Sequence, residues 1–252
     1  MCTLASVNRF LLSLSLALSF SSGPIATVAH AQPRPKTVEL FNGTDLSGWE
    51  IVTLPAAPAE TAPRWRYTPS GVLTVTGKPV SYLATKASYQ NYRLHVEWRW
   101  PVAAAKNSNS GILLHIASGP ANHTAWPVCF QMQLKPTRVG DLLPMAEATF
   151  AEKLTSAPGA KTPQLDRLAA DSEKPLGEWN ACDILCVDGT LEVRVNGILQ
   201  NKLTQLSPSS GRIGLQLEGT PFEVRNVRLS SLSPAIGPSR QTPPTEQPGG
   251  KF

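Results

Sequence analysis

Side chains able to transfer protons or bind polar groups recur at every second position along several stretches of this chain. Arg93, His95, Glu97 and Arg99 alternate with Leu94, Val96, Trp98 and Trp100. Gln131, Gln133 and Lys135 alternate with Phe130, Met132 and Leu134, Gln216 and Glu218 alternate with Leu215 and Leu217, and His115 stands two residues after Leu113. A strand sends alternate residues to opposite faces, so the polar sets are expected to share one face while their neighbours fill a core. Long amides, carboxylates and guanidinium groups, with tryptophans such as Trp126 nearby, offer paired hydrogen bonds to vicinal hydroxyls and an apolar plane beneath a ring. Carbohydrate is therefore the expected ligand. The plainer reading is a solvated sheet face on which Glu97 and Arg99 form only an ion pair.

Cleavage of a glycosidic bond commonly uses two carboxyl groups that exchange protons. Glu97 and Glu218 are the candidates on this face, with Asp141 on the flanking loop a third. His95 and Glu97 leave one strand together, and His115 would complete a three-ligand metal set. Single histidines on strands more often pack or hydrogen-bond. No cofactor is expected, with a divalent metal as the alternative.

The elements that must position these residues are strands. Asn107 to Lys135 reads as a long hairpin around a loop rich in Gly, Pro, Asn and His, in which Ile112, Leu114 and Ile116 point one way and Leu113 and His115 the other. Tyr92 to Trp100 is the cleanest alternation and predicts a central strand. Short strands are expected at Trp65 to Tyr67, Val72 to Thr76 and Tyr82 to Thr85. Asn180 to Val187, Thr190 to Val195 and Ile198 to Leu203 are joined by Asp-Gly and Asn-Gly turns into a meander. Gly211 to Glu218 and Phe222 to Leu229 close the domain. Pro136 to Gly177, with five prolines and little alternation, predicts an excursion lying over one end of the sheet, with a helical turn near Ala146 to Leu154. Many short alternating strands and no sustained helical period predict an all-β, antiparallel β-sandwich.

The chain has 252 residues, 41% of them hydrophobic, enough for one large β domain. Residues 1–31 carry a single positive charge, Arg9, then an apolar run from Phe10 to Phe20 and an Ala-His-Ala end, which predicts a signal peptide cleaved after Ala31 and an extracytoplasmic mature protein. That run is shorter than the roughly 20 residues a membrane span needs, and no later segment qualifies. Removing Arg9 takes the formal charge from +5 to +4, with no basic cluster of the kind that tracks phosphates, so nucleic acid is not an expected partner. Residues 32–37 form a short leader, 38–232 the domain, and 233–252 a Pro-rich tail too poor in apolar residues to fold. Cys182 and Cys186 stand four residues apart on one strand, roughly 13 Å, too far to bridge. Either would pair only with Cys129, and three buried free thiols are expected instead.

The blocks LFNGTDLSGW, YRLHVEWRW, NSGILLH, WPVCFQMQLK followed by Gly140-Asp141, GEWNACDILCVDGTLEVRVNG and GRIGLQLEGTPFEVRNVRL occur in that order from about Val38 to Leu232. Together they resemble the 3-keto-disaccharide hydrolase domain family. The resemblance implies a concanavalin A-like jelly roll, an extracytoplasmic setting and action on sugars oxidised at C3, by hydrolysis or by elimination and hydration. It places Glu97 and Arg99 on the family's Glu-x-Arg strand, Asn109 to Gly111 on its Asn-Ser-Gly, Gln133 on its Gln, Asp141 on its Gly-Asp, Trp179 and Asn180 on its Trp-Asn, and Gln216 and Glu218 on its Leu-Gln-x-Glu. Gln131 departs, standing where members with the WPxC block usually carry glutamate, and an amide is neither acid nor base. Glu97 and Glu218 are the expected acid and base, with Arg99, His115 or Lys135 polarising the ketone. Asn109, Trp126, Gln131, Gln133, Asp141 and Gln216 are expected to bind substrate. The rival expectations are a non-catalytic carbohydrate-binding module and a protein-docking domain.

Overall fold

The structure is a computed structural model that describes residues 36–54, 65–103, 108–119, 121–122 and 125–232. The expected signal peptide, the loop around residues 55–64, most of the leader and the tail lie outside the described residues. Fourteen strands run in chain order: β1 (Thr37–Glu39), β2 (Trp49–Thr53), β3 (Trp65–Tyr67), β4 (Leu73–Val75), β5 (Ser81–Tyr89), β6 (Tyr92–Arg99), β7 (Gly111–Ala117), β8 (Val128–Gln133), β9 (Leu142–Met145), β10 (Asn180–Val187), β11 (Thr190–Val195), β12 (Ile198–Leu203), β13 (Gly211–Leu217) and β14 (Phe222–Ser231). There is no helix among the described residues.

The strands form two antiparallel sheets, the sandwich expected from the alternation and the jelly roll that the resemblance implies. One has eight strands in the order β12-β11-β10-β6-β14-β4-β3 with β1 added on β14, and the other has six, β2-β5-β13-β7-β8-β9. Leu94, Val96 and Trp98 of β6, Cys182 and Ile184 of β10, and Val224 and Leu229 of β14 face Leu83, Ile112, Leu114, Phe130, Met132, Ile213 and Leu215 of the other sheet. Burying each such large side chain stabilises the fold by about 1.5–3 kcal/mol, and the period of two makes every neighbouring residue an outward one.

Two features depart from the sequence reading. The excursion carries a strand, β9, where no strand was expected, and turns rather than a helical turn follow it. β9 pairs with β8 (Gln131 opposite Leu143) and forms the edge of the six-stranded sheet, a place that tolerates Pro144 because an edge strand can spare an N–H. The second departure is in β7, where the pairing with β8 shifts between Leu114 and Ala117 and His115 takes a φ of +55°. This bulge interrupts the alternation. His115 turns between the sheets against Tyr92 and Phe130, at centroid separations of 5.7 and 6.1 Å, and Ile116 turns outward.

Cys129, Cys182 and Cys186 are buried free thiols. Burial pushes Cys186 up to about 12, so it stays a neutral thiol inside the core.

Candidate functional site

The outer face of the six-stranded sheet holds a cleft of about 660 Å³. Its polar corner is built across three adjacent strands. Gly111 pairs with Gln133, and Leu215 pairs with Ile112, so Gln216 of β13 and Gln133 of β8 flank Gly111 from either side. Gly111 is needed there: a Cβ at this position would lie 2.6 Å from Gln131 Cγ and 2.8 Å from its Nε2, so the Gln131 side chain lies over the glycine. One step along, Asn109 bridges Glu218 through the backbone. Asn109 Nδ2 donates to Glu218 Oε2 at 2.7 Å, and Ser110 Oγ donates to the Gln216 carbonyl at 2.5 Å. Gln133 Oε1 accepts from the Lys135 backbone N–H at 2.9 Å.

The other half of the cleft is apolar. Trp126, Leu143, Pro144, Met145 and Ala146 line it, and Ala160 to Pro163 of the excursion form the facing wall. Beneath it Leu113, Ile116, Cys129 and Tyr82 make a satellite cluster separate from the main core, with the Tyr82 and Trp126 rings 6.1 Å apart.

Glu218 is the one carboxylate among the described lining residues. Burial pushes its carboxyl above the usual range, and the positive charge of Lys135 offsets this only in part. A carboxyl so placed takes up a proton more readily than one in water, the property a general base requires.

The structure thus brings together Asn109, Trp126, Gln131, Gln133, Gln216 and Glu218 in one cleft. It does not bring Glu97 or Arg99 there. Both belong to β6 in the eight-stranded sheet, on the face turned away from the core, so Glu97 and Glu218 sit on opposite sheets. Alternation correctly separated outward from inward residues but carried no information on which sheet each strand joins. Glu97 accepts hydrogen bonds from Arg225 Nε at 2.6 Å and Asn226 Nδ2 at 2.8 Å. Burial opposes its ionisation, and these two donors outweigh it, holding the carboxyl below the usual range. Arg99 pairs with Glu223, and the Trp179 ring lies between Arg99 and Arg225, whose guanidinium carbons are 4.6 and 4.0 Å from its centroid. This array ties β6, β14 and the start of β10 together.

His115 is buried in the core, its Nδ1 3.1 Å from the Pro208 carbonyl. Asp141 is also spent elsewhere: it accepts from the Arg167 backbone N–H at 2.8 Å and pairs with Arg138 at 2.7 Å, fastening the turn after β8 to a later part of the excursion. Lys135 is not among the lining residues. His95, Glu97 and His115 do not converge, and among the described residues no three His, Cys, Asp or Glu side chains are grouped to hold a metal. The sequence reading missed Asn122, Lys161 and Thr162, together with the apolar β9 wall. The only signals for them were the Asn-rich loop of the long hairpin, which holds Asn122, and the length of the proline-rich excursion, which holds the rest.

The fold and the cleft define a jelly-roll β-sandwich of the kind shared by carbohydrate-active proteins. The chain belongs to the 3-keto-alpha-glucoside-1,2-lyase-like domain family, whose model matches residues 36–230. Crystal structures of two Parabacteroides distasonis glycosyl-hydrolase candidates superpose with TM-scores of 0.53 and 0.52 at 21% and 19% identity, covering 78% of this chain and 100% and 94% of theirs. The carbohydrate-binding module CBM66 from Bacillus subtilis superposes with a TM-score of 0.50 at 11% identity, covering 73% of this chain and 96% of its own. At these identities the likeness establishes the fold alone. No curated protein matches the chain in sequence. No helix among the described residues is long and apolar enough to cross a membrane.

Proposed function

We propose that the protein cleaves 3-keto-glycosides by elimination across C1 and C2, with Glu218 as the base. The observation that carries this is the single carboxylate, half-buried, among the described lining residues, in a polar corner otherwise made of amides. Displacement at C1 by paired carboxyl groups wants a second carboxyl within about 5–10 Å, and Glu97 and Asp141 are both committed elsewhere. Elimination needs one base. A ketone at C3 acidifies the C2 hydrogen, and Glu218 takes that proton. The electron pair of the C–H bond first rests on the ketone oxygen as an enolate, then forms the C1–C2 double bond as the C1–O bond breaks. The departing oxygen gains a proton from water, and water added across the double bond gives the free 3-keto-sugar. Gln131, Gln133 and Gln216 hold the ring substituents, and no metal is used. The setting is extracytoplasmic, which N-terminal sequencing of the exported protein would establish by a first residue of Gln32.

A 3-keto-disaccharide incubated in D2O, with and without chelator, tests this. Elimination and hydration place deuterium at C2 of the product above the level without enzyme, Glu218→Gln abolishes turnover, and chelator changes nothing. Retention of the C2 hydrogen refutes elimination, and turnover by Glu218→Gln refutes the base. The second reading, a non-catalytic carbohydrate-binding module, is favoured by the amide floor, and saturable sugar binding without turnover would establish it.

A further inference from the structure

Elimination by the route above, on which this inference rests, puts negative charge on the oxygen at C3 before the C1 substituent leaves. Such a charge is best stabilised by a donor already aimed at it in a site that excludes bulk water. The cations that the sequence offered for this task are elsewhere: Arg99 on the other sheet, His115 inside the core, Lys135 outside the lining. Lys161 does line the cleft, but on the solvent-exposed loop facing the floor.

Gln133 is different. The residue is 8% exposed, and one end of its amide is fixed by the Lys135 backbone N–H, 2.9 Å away. A backbone N–H can only donate, so the atom facing it is the carbonyl oxygen and the orientation of this amide is not open to a flip. The Nε2 hydrogens are therefore directed away from the backbone, and no acceptor among the described residues takes them. Neither neighbouring amide is fixed in this way: Gln216 Oε1 is enclosed without a partner, and the Gln131 side chain makes no hydrogen bond to a described residue. Gln133 and Glu218 also have the right relation. Gln133 pairs with Gly111 from one side of β7, and Glu218 bridges Asn109, two residues earlier, from the other, so the two are offset by about 6.6 Å along the strand direction and by two strand spacings, about 9.6 Å, across it. A pyranose seated between them turns C2 toward Glu218 and O3 toward Gln133.

We propose that Gln133 is a catalytic residue whose Nε2 donates to O3 of the substrate and holds the enolate oxygen formed when Glu218 removes the C2 proton.

The test uses Gln133→Met, which keeps the length and loses the amide, and Gln133→Glu, which keeps an acceptor for the Lys135 N–H and loses the donor. Two readouts are needed: kcat and KM on a 3-keto-glycoside, and deuterium exchange at C2 of 3-keto-1,5-anhydroglucitol, which has no leaving group at C1. The expected result is a fall of about 100- to 1000-fold in kcat and in exchange for both variants. KM and the melting temperature are expected to stay near the wild-type values. Wild-type rates in either variant overturn the assignment, as does a rise in KM alone, which marks ordinary binding. A kcat loss that appears in Lys161→Met and not in Gln133→Met overturns it in favour of the lysine. If the wild-type protein neither cleaves nor exchanges, the elimination reading itself falls, and this inference with it.

Discussion

Gly111→Ala is the smallest change that probes the cleft. The added methyl would lie 2.6 Å from Gln131 Cγ, 2.8 Å from Nε2 and 2.9 Å from Cδ, whereas non-bonded carbons rest about 3.5–4.0 Å apart. Gln131 must withdraw by about 1 Å. Gly111 is not among the glycines with a positive φ, so alanine meets no backbone penalty, and the cleft gives the displaced amide somewhere to go. The loss should therefore fall on ligand binding rather than on folding. One misplaced hydrogen bond is worth about 0.5–1.5 kcal/mol, which is about 2- to 12-fold in affinity. Calorimetric titration with a 3-keto-glycoside on the Glu218→Gln background measures the loss, and a thermal melt checks that stability moves by less than about 1 kcal/mol. The decisive control is Gln131→Ala. With no Gln131 amide to displace, adding Gly111→Ala should cost nothing further. An equal loss in both backgrounds, or no loss in either, refutes the idea that the glycine exists to seat Gln131.

Further expectations concern charge. Because burial raises Glu218 above its ordinary value of 4.5, kcat/KM should rise with pH through a midpoint above 4.5, and that acidic limb should vanish in Glu218→Gln. A carboxyl whose folded value lies above its unfolded one stabilises least when both states are ionised. Glu218→Gln is thus expected to melt higher than wild type at neutral pH and the same near pH 3. His115 has the opposite sign for stability: burial lowers it below 6.5, against the pull of the Pro208 carbonyl. Its contribution is whole above pH 6.5 and shrinks as the unfolded chain alone takes up the proton below it, so denaturant titrations of His115→Asn should show a shallower acid loss. Glu97→Gln should leave kcat within about 3-fold of wild type and lower stability by about 1–2 kcal/mol through its charged hydrogen bonds to Arg225 and Asn226. A large kcat loss with unchanged melting would return Glu97 to the site.

The strands were legible wherever one side of a strand faced oil and the other water. β10, β11 and β12 begin and end where alternation and the Asp-Gly and Asn-Gly turns placed them. β9 was not legible, because Leu-Leu-Pro-Met has no alternation and proline argues against any strand but an edge one. Gln131, Gln133, Gln216 and Glu218, read from the alternation as sharing one face, do meet in one cleft, because β8 and the end of β13 keep their period of two there. Glu97 lies away from the cleft for a reason no local pattern reveals: outward in a sandwich has two meanings, one per sheet. His115 lies away from it because a single extra residue changed the count, and Asp141 because a loop carboxylate beside glycine looks the same whether it meets a ligand or, as here, Arg138 and the Arg167 N–H.

The irregularity at His115 also makes length a specified property of this stretch. With one residue fewer between Leu114 and Ala117, the period of two would resume and the residue left between them would face outward, so the space that His115 now fills against Tyr92 and Phe130 would be left empty. Homologous chains of this shape should therefore tolerate changes of residue type here more readily than a deletion, and an alignment that gaps this position would be joining proteins whose interiors are filled differently.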